Sequence, residues 1–254
     1  MQGDIFMEWV WLTAALIALS TVIGTFIGFC FKNISQRGND CVIGFSAGVM
    51  LCAAICGLIE PSVTYGGAFG APIAVVGIFC GAAFLCGIDK LMPRINSAIG
   101  MNESGLQGRV MLLVAAIAIH HLPEGIAAGV SFGTGNAREI AVVCGGIAIQ
   151  NMPEAAVIIA PMLNSGVSRK KALAIAFISG GMEVLGTLFG YFAVTLANAI
   201  MPFALAFAGG SMMYIIVDEM IPQTHSHKFG GKASFATLGG FCLMLIFDTV
   251  LGMI

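Results

Sequence analysis

Residues 112–132 read LLVAAIAIHHLPEGIAAGVSF, and this stretch decides the fold class. A helix of about 20 residues is about 30 Å long, which matches the hydrocarbon core of a bilayer. The only ionisable side chains in the stretch belong to His120, His121 and Glu124. This length and composition predict a transmembrane helix.

The composition extends that prediction to the whole chain. Hydrophobic residues make up 58% of the 254 residues and charged residues only 9%, whereas soluble domains carry about 25% charged residues. Because so few charges cannot cover a surface that faces water, we expect lipid to cover most of the outside. The net charge is −2 and no basic patch indicates nucleic-acid binding. The eight cysteines lie in or beside apolar stretches without a Cys-x-x-Cys pair, and we interpret them as buried small hydrophobes.

Eight stretches are long and apolar enough to span a bilayer, and the turn-forming and charged residues concentrate between them. They are Met7–Phe31, Cys41–Ile59, Pro72–Met92, Gly108–Phe132, Glu139–Leu163, Lys171–Leu196, Met201–Ile221 and Phe235–Ile254. The segment before the first stretch lacks Lys and Arg, so we interpret that stretch as a retained helix and not as a signal peptide. The prediction is one all-α transmembrane domain over residues 1–254.

The basic residues predict the topology. If the N-terminus is outside, Arg138 is the only one of the eleven Lys and Arg residues that falls on the outside. Cytoplasmic loops carry an excess of basic residues, so the other segments are predicted to face the cytosol. An even number of helices then places both termini outside.

Glycines four residues apart predict where helices pack closely, because small residues let two backbones approach in lipid. Pairs of this kind occur in the first, third and sixth predicted helices: Gly24 and Gly28, Gly77 and Gly81, and Gly186 and Gly190. With 34 glycines in the chain, some such pairs also arise by chance.

Three glutamates, Glu124, Glu154 and Glu183, lie near the centres of the fourth, fifth and sixth predicted helices. Each central acidic residue costs about 2.5–3.5 kcal/mol on insertion scales, so three would cost about 8–10 kcal/mol without compensation. No Lys or Arg lies mid-helix to pair with them. Protonation, water or a bound cation remain, and a cation is the most economical explanation.

Two of these glutamates end matching motifs. Residues 120–124 read HHLPE and residues 150–154 read QNMPE. Positions three or four apart share one face of a helix, so both polar residues of each motif lie near its glutamate. Each proline also leaves the carbonyl four residues earlier without its helical partner. Imidazole nitrogen with carboxylate oxygen suits zinc, Cd(II), Fe(II) and Mn(II), whereas calcium and magnesium prefer oxygen ligands alone.

At these motifs the sequence resembles the ZIP family of divalent-metal transporters, and most closely its compact bacterial members. The resemblance extends to residues 44–50, to Glu183 and to residues 218–222. It implies a primary metal site whose ligands are His120, Glu124, Gln150 and Glu154, with Met50 as a further contact. It also implies an adjacent second site formed by His121, Asn151 and Glu183 and bridged by Glu124 and Glu154.

Two positions depart from the family pattern. His121 stands where Asn is common, and Asn151 stands where two-metal members often have Asp. Because Asn is a weaker, neutral ligand, the second site is expected to be weaker in this chain.

The resemblance implies a 3+2+3 arrangement of the eight helices, in which the first three are related to the last three by inversion. It also implies a homodimer in the cell membrane that imports divalent metal into the cytosol. Zinc is then the substrate and not a catalytic cofactor, with Cd²⁺, Fe²⁺ or Mn²⁺ as alternatives.

Further polar residues lie along the expected path. Glu60 and Asp248 lie toward the outside, where either could attract cations to an entrance. Asp89, Asp218, Glu219, His225 and His227 lie toward the inside. For each of them an ordinary solvated helix end is an equally good explanation.

Two other classes of function fit the sequence less well than a transporter. An intramembrane zinc protease needs His-Glu-x-x-His and a di-iron oxidase needs Glu-x-x-His repeats, and the chain contains neither. A metal-selective channel or a purely structural membrane protein would share the composition. A channel needs sites weak enough to release ions quickly, which a cluster of His and Glu disfavours.

Overall fold

The computed structural model describes residues 2–30, 35–98, 120–164, 166–226 and 230–253. Within these residues all regular secondary structure is helical. Seven of the described helices are long and apolar enough to cross a membrane. An eighth is described over residues 120–131, and the preceding part of that predicted span, residues 108–119, lies outside the described residues.

We number the helices in chain order. They are α1 (Gln2–Cys30), α2 (Gln36–Tyr65), α3 (Gly70–Ala98), α4 (residues 120–131), α5 (Ala137–Asn164), α6 (Arg169–Leu196), α7 (Asn198–His225) and α8 (Gly230–Leu251). Each predicted apolar stretch therefore has a helix in the described residues.

Most of the helices extend several residues beyond the predicted ends, because a helix continues through polar residues until it is capped. α2 begins after Ser35, whose hydroxyl accepts the backbone N–H of Gly38 at 3.2 Å. α6 begins after Ser168, whose hydroxyl accepts the N–H of Lys171 at 3.4 Å. Both are standard N-caps that satisfy a free donor of the first turn.

α2 and α7 share a local irregularity. α2 contains a π-helical turn over Ile55–Ile59 and α7 contains one over Ile216–Met220. A proline follows each turn by two residues, at Pro61 and at Pro222. Because proline lacks an N–H and crowds the carbonyl of the previous turn, the wider π turn accommodates it without breaking the helix.

The helices associate in two groups. In the first group α1 packs against α5 and α6, and α4 packs against α6. In the second group α2 packs against α8, and α3 packs against α7. Contacts of α2 with α5 and α7 also occur, so α2 joins the two groups.

The predicted glycine pairs lie at these helix contacts. A Cβ atom on Gly24 would collide with the backbone of Met152, and one on Gly186 would lie 2.6 Å from the carbonyl oxygen of Leu122. A Cβ on Gly81 would collide with the backbone of Phe207. These positions confirm the prediction that the paired glycines mark close approaches of helices.

The distribution of polarity is the reverse of that in a soluble protein. Large apolar side chains are exposed, with Phe79 at 72% and Leu196 at 85%. By contrast Glu124, Gln150 and Glu183 are at most 1% exposed. An apolar surface around a polar centre is the arrangement expected of a multi-pass membrane protein.

Candidate metal site

α4 and α6 bring an imidazole and two carboxylates together in the first helix group. His121 Nδ1 lies 2.5 Å from Glu183 Oε1 and 3.9 Å from Glu124 Oε2. One ligand atom from each of the three residues lies within 4.8 Å of the other two, and all three side chains are buried. The cluster forms because His121 and Glu124 share a face of α4, and because glycines let α4 and α6 approach closely.

α5 adds two amides that hold these carboxylates. Gln150 Nε2 donates a hydrogen bond of 2.7 Å to Glu124 Oε1. Asn151 Nδ2 donates to Glu183 Oε1. Each carboxylate therefore has one oxygen fixed by an amide from the neighbouring helix.

Three buried oxygen atoms in this region have no hydrogen-bond partner among the described residues. They are Glu124 Oε2, Gln150 Oε1 and Asn151 Oδ1. Buried acceptors are almost always satisfied in folded proteins, so a group of three requires an explanation. A divalent cation would accept electron pairs from such oxygens, and with the imidazole of His121 they make a mixed nitrogen and oxygen ligand set of the kind that zinc accepts.

Glu154 and His120 extend the cluster to either side. Glu154 is partly buried and close enough to interact electrostatically with His121 and Glu124. His120 Nε2 lies 2.9 Å from Glu219 Oε2 on α7 and also interacts electrostatically with Glu124. His120 therefore lies between the buried carboxylates and an acidic residue of the second helix group.

Met50 is buried on α2, with 1% of its surface exposed, and belongs to the same hydrophobic core as Ala127 of α4 and Ile147 of α5. Ser46, one turn earlier on α2, donates to the backbone oxygen of Gln150 at 3.5 Å. α2 thus contacts α5 beside the site.

Sequence reasoning missed Thr21 on α1. Its hydroxyl donates to Glu183 Oε2 at 3.2 Å and accepts from Asn151 Nδ2 at 3.3 Å. A signal was present, because residues 21–28 (TVIGTFIG) and residues 183–190 (EVLGTLFG) are identical at four of eight positions and apolar in both at three others. That match pairs Thr21 with Glu183.

Two of the outlying polar residues already have protein partners. Asp248, which could have attracted cations to an entrance, accepts two hydrogen bonds from Arg138 at 2.9 and 3.1 Å. His225 Nε2 lies 3.1 Å from the hydroxyl of Ser234 on α8, and its Nδ1 lies 3.0 Å from the Ile221 carbonyl oxygen. His227 lies outside the described residues.

The chain is similar to known zinc transporters over most of its length. The family model of the ZIP zinc transporter matches residues 94–248. Zinc transporter ZIPB of Bordetella bronchiseptica is 32% identical over 241 residues, which cover 92% of this chain and 78% of that protein. Zinc transporter GufA of Myxococcus xanthus is 32% identical over 250 residues, which cover 95% of this chain and 98% of that protein. Zinc transporter ZIP11 of Homo sapiens is 31% identical over 325 residues, with coverages of 91% and 94%.

Proposed function

The chain belongs to the ZIP family of zinc transporters, and from that premise we propose that it carries zinc into the cytosol through the buried site between α4, α5 and α6. Because the ZIP family consists of transporters, the chain is a multi-pass membrane transporter and not an enzyme. The proposed ligands are His120, His121, Glu124, Gln150, Asn151, Glu154, Glu183 and Met50.

The three buried oxygens that lack hydrogen-bond partners among the described residues carry the proposal. An unsatisfied buried acceptor costs about 1–3 kcal/mol, and the cost is larger for a charged group. The site also concentrates carboxylates where no Lys or Arg occurs in the middle of a helix. A bound cation compensates both costs at once, which favours occupation of the site by a cation.

The ligands divide into two positions. We assign His120, Glu124, Gln150 and Glu154 to the first position, with Met50 as a further contact. The second position takes His121, Asn151 and Glu183, and the two positions share Glu124 and Glu154. The close cluster of His121, Glu124 and Glu183 supports the second position, but the neutral Asn151 makes it the weaker of the two.

A route toward the cytosol begins at His120. Its contact with Glu219 leads away from the buried cluster, and Asp89 of α3 interacts electrostatically with both of these residues. A cation that leaves the first position therefore finds further oxygen ligands at each step, so that it never has to shed all of its ligands at once.

The contacts of the helices support the 3+2+3 arrangement. The inversion would relate α1 to α6, α2 to α7, α3 to α8 and α4 to α5. Under this relation the packed pair α2–α8 corresponds to the packed pair α7–α3. The pair α1–α5 likewise corresponds to α6–α4, and all four of these pairs are in contact. The π turns of α2 and α7 correspond as well. We propose eight transmembrane helices related by inversion, with lipid around them.

The distribution of Lys and Arg supports a cytosolic α5–α6 connection and two termini outside. A cysteine at position 168, which is exposed beside the N-terminus of α6, should react only with reagents that reach the cytosol. Labelling from the outside would contradict the orientation. By family resemblance we also propose a homodimer, which chemical crosslinking in membranes would test.

Uptake by reconstituted vesicles tests the function. We expect zinc and cadmium to enter with saturation and calcium and magnesium to be excluded, because imidazole disfavours these harder cations. Iron(II) and manganese(II) should be compared in the same assay. Saturation at low metal concentration supports a carrier, whereas uptake that stays linear indicates a channel. Vesicles that take up none of the six cations contradict the proposal.

A further inference from the structure

A cavity lies between α1, α5 and α6, beside the second metal position and toward the N-terminal end of α6. Its lining combines four polar residues with seven apolar ones; the polar residues are Thr21, Thr25, His121 and Ser179, and Met162 is among the apolar ones. The centre of a water molecule can occupy about 20 Å³ of it, and a buried water needs about 10–15 Å³ on that measure. The cavity therefore has room for one water.

Ser179 is the unusual member of this lining. Its side chain is only 3% exposed, and its hydroxyl has no hydrogen-bond partner among the described residues. A buried hydroxyl without a partner costs about 1–3 kcal/mol, which a bound water would recover. Ser179 lies one turn before Glu183 on α6, so both side chains are on the same face of the helix.

The cavity offers the further partners that a water needs. Thr25 donates its hydroxyl hydrogen to the carbonyl oxygen of Thr21 at 3.1 Å, which leaves its own oxygen free to accept. The hydroxyl of Thr21 lies at the same wall and contacts Glu183. A stable buried water makes two to four hydrogen bonds, and Ser179, Thr25 and Thr21 provide that number.

We propose that this cavity is a hydration site, in which Ser179 and Thr25 hold a water molecule that becomes a ligand of a cation at the second position. Of the five residues proposed for that position, His121, Glu124 and Glu183 bring ligand atoms within 4.8 Å of one another, and these three are the protein ligands when the water binds. Zinc bound by three protein ligands commonly takes water as its fourth. This inference rests on the proposed metal transport for the cation, whereas the water itself does not depend on it.

Radiolytic labelling tests the water without any metal. X-ray irradiation produces hydroxyl radicals from bound water, and these oxidise a methionine beside it. Met162 lines the cavity at 3% exposure, whereas Met212 and Met244 are 0% exposed and lie in other parts of the core. We expect Met162 in the full-length protein to be oxidised at least several-fold faster than either control.

Substitution of Ser179 tests whether this residue binds the water. Ser179→Ala should lower Met162 oxidation to the rate of Met212. Ser211→Ala is the matched control, because Ser211 is also buried but donates within its own helix to the Phe207 carbonyl at 2.9 Å. Equal oxidation of Met162 and Met212 in the unchanged protein would show a dry cavity and overturn the proposal.

Cadmium titration with anomalous scattering tests the ligand role. Ser179→Ala should weaken cadmium at the second position about threefold to tenfold and leave the first position unchanged, as expected for the loss of one water-mediated contact. Unchanged affinity at the second position overturns the ligand role. A protein that takes up zinc but shows a dry cavity contradicts only this inference, whereas a wet cavity in a protein that takes up no metal contradicts only the proposed function.

Discussion

The site has two halves with the same scaffold and different chemistry. The half formed by α4 and α6 carries the motif HHLPE and the segment EVLGTLFG, and the half formed by α1 and α5 carries QNMPE and TVIGTFIG. Where the first half has two histidines and Glu183, the second has two amides and Thr21. Proline, the motif glutamate and the packing glycines are the same in both halves.

The shared residues are those that build the backbone. Thr187 donates to the carbonyl of Glu183 at 2.8 Å, and Thr25 donates to that of Thr21 at 3.1 Å. Gly186 likewise lets α4 approach α6, and Gly24 lets α5 approach α1, at equivalent positions of the two halves. The packing of both halves thus depends on the same small and hydroxyl residues, so the differences between the halves concern the ligands alone.

The differing residues divide the work of binding. The α4–α6 half contributes the imidazole of His121 and the carboxylate of Glu183. In the α1–α5 half Thr21 and Asn151 donate hydrogen bonds to that same carboxylate. Because mutual repulsion among buried carboxylates is strong, neutral donors in one half hold the anions of the other without adding charge. Around Glu183, therefore, one half contributes the imidazole and the carboxylate, and the other half contributes the neutral donors that hold that carboxylate.

The largest effect is expected where the two halves are alike, at the motif glutamates. Glu124→Ala and Glu154→Ala should each reduce zinc uptake by about 100-fold or more, since losing a buried charged ligand costs about 3 kcal/mol or more. Uptake into vesicles at matched protein content provides the measurement. Glu8→Ala, which changes an exposed carboxylate on α1, serves as the control and should transport normally. Near-normal uptake by either motif variant would show that the site is misplaced.

The sequence predicts the helices and the buried glutamates, but it does not predict every residue of the site. Length and apolarity were enough to locate the helices, because the bilayer imposes both. The buried glutamates were recognisable because a charge in an apolar helix is conspicuous. Thr21 was not, since threonine is common in such helices and only its match with Glu183 in the repeated segment marks it.

Contacts between distant segments were also beyond the sequence. His120 and His121 point about 100° apart around α4, so only one can face Glu183. The spacing alone does not decide which, and the grouping of His121 with Glu183 came from the family resemblance. The structure places His121 there and directs His120 to Glu219. The ion pair of Arg138 with Asp248 joins residues 110 positions apart, and no local pattern indicates it.

The second effect tests whether packing in the two halves is equivalent. Gly24→Val and Gly186→Val should each destabilise the protein by about 1–3 kcal/mol or more, because the new side chain meets a neighbouring backbone. The melting temperature should fall by about 2–4 °C for each kcal/mol. Gly239→Ala is the control, since a Cβ there meets no atom of the described residues within 4 Å. A large loss in one half and none in the other would show that the scaffolds are not equivalent.

The third effect concerns the difference in ligand chemistry at the second position. Asn151→Asp adds a negative charge beside the cation and should strengthen cadmium binding there about tenfold and slow its release, because a charged ligand outweighs a neutral one in a buried site. His121→Asn removes the imidazole and should weaken the same position by a similar factor.

Metal content per chain and anomalous scattering provide the measurement for both variants. The first position, assigned to His120, Glu124 and Glu154, should keep its occupancy in each of them and is the internal control. Two fully occupied positions in the unchanged protein would contradict the weaker second position.

The smallest effect concerns the outer ion pair between Arg138 and Asp248. Unlike the buried glutamates of the site, Asp248 has a basic partner. Arg138 is 47% exposed and Asp248 13%, and exposed pairs of this kind contribute about 0–1 kcal/mol to stability. Arg138→Gln should therefore leave the melting temperature nearly unchanged. It frees the Asp248 carboxylate, so the half-saturating zinc concentration should fall about twofold at low ionic strength. The difference should vanish at high salt, where exposed charges are screened within a few ångströms. Lys170→Gln, at an exposed residue near the other end of the fold, should show no such change. If Arg138→Gln raises the half-saturating zinc concentration instead, the intact ion pair favours cation entry. Arg138 then does not prevent Asp248 from attracting cations.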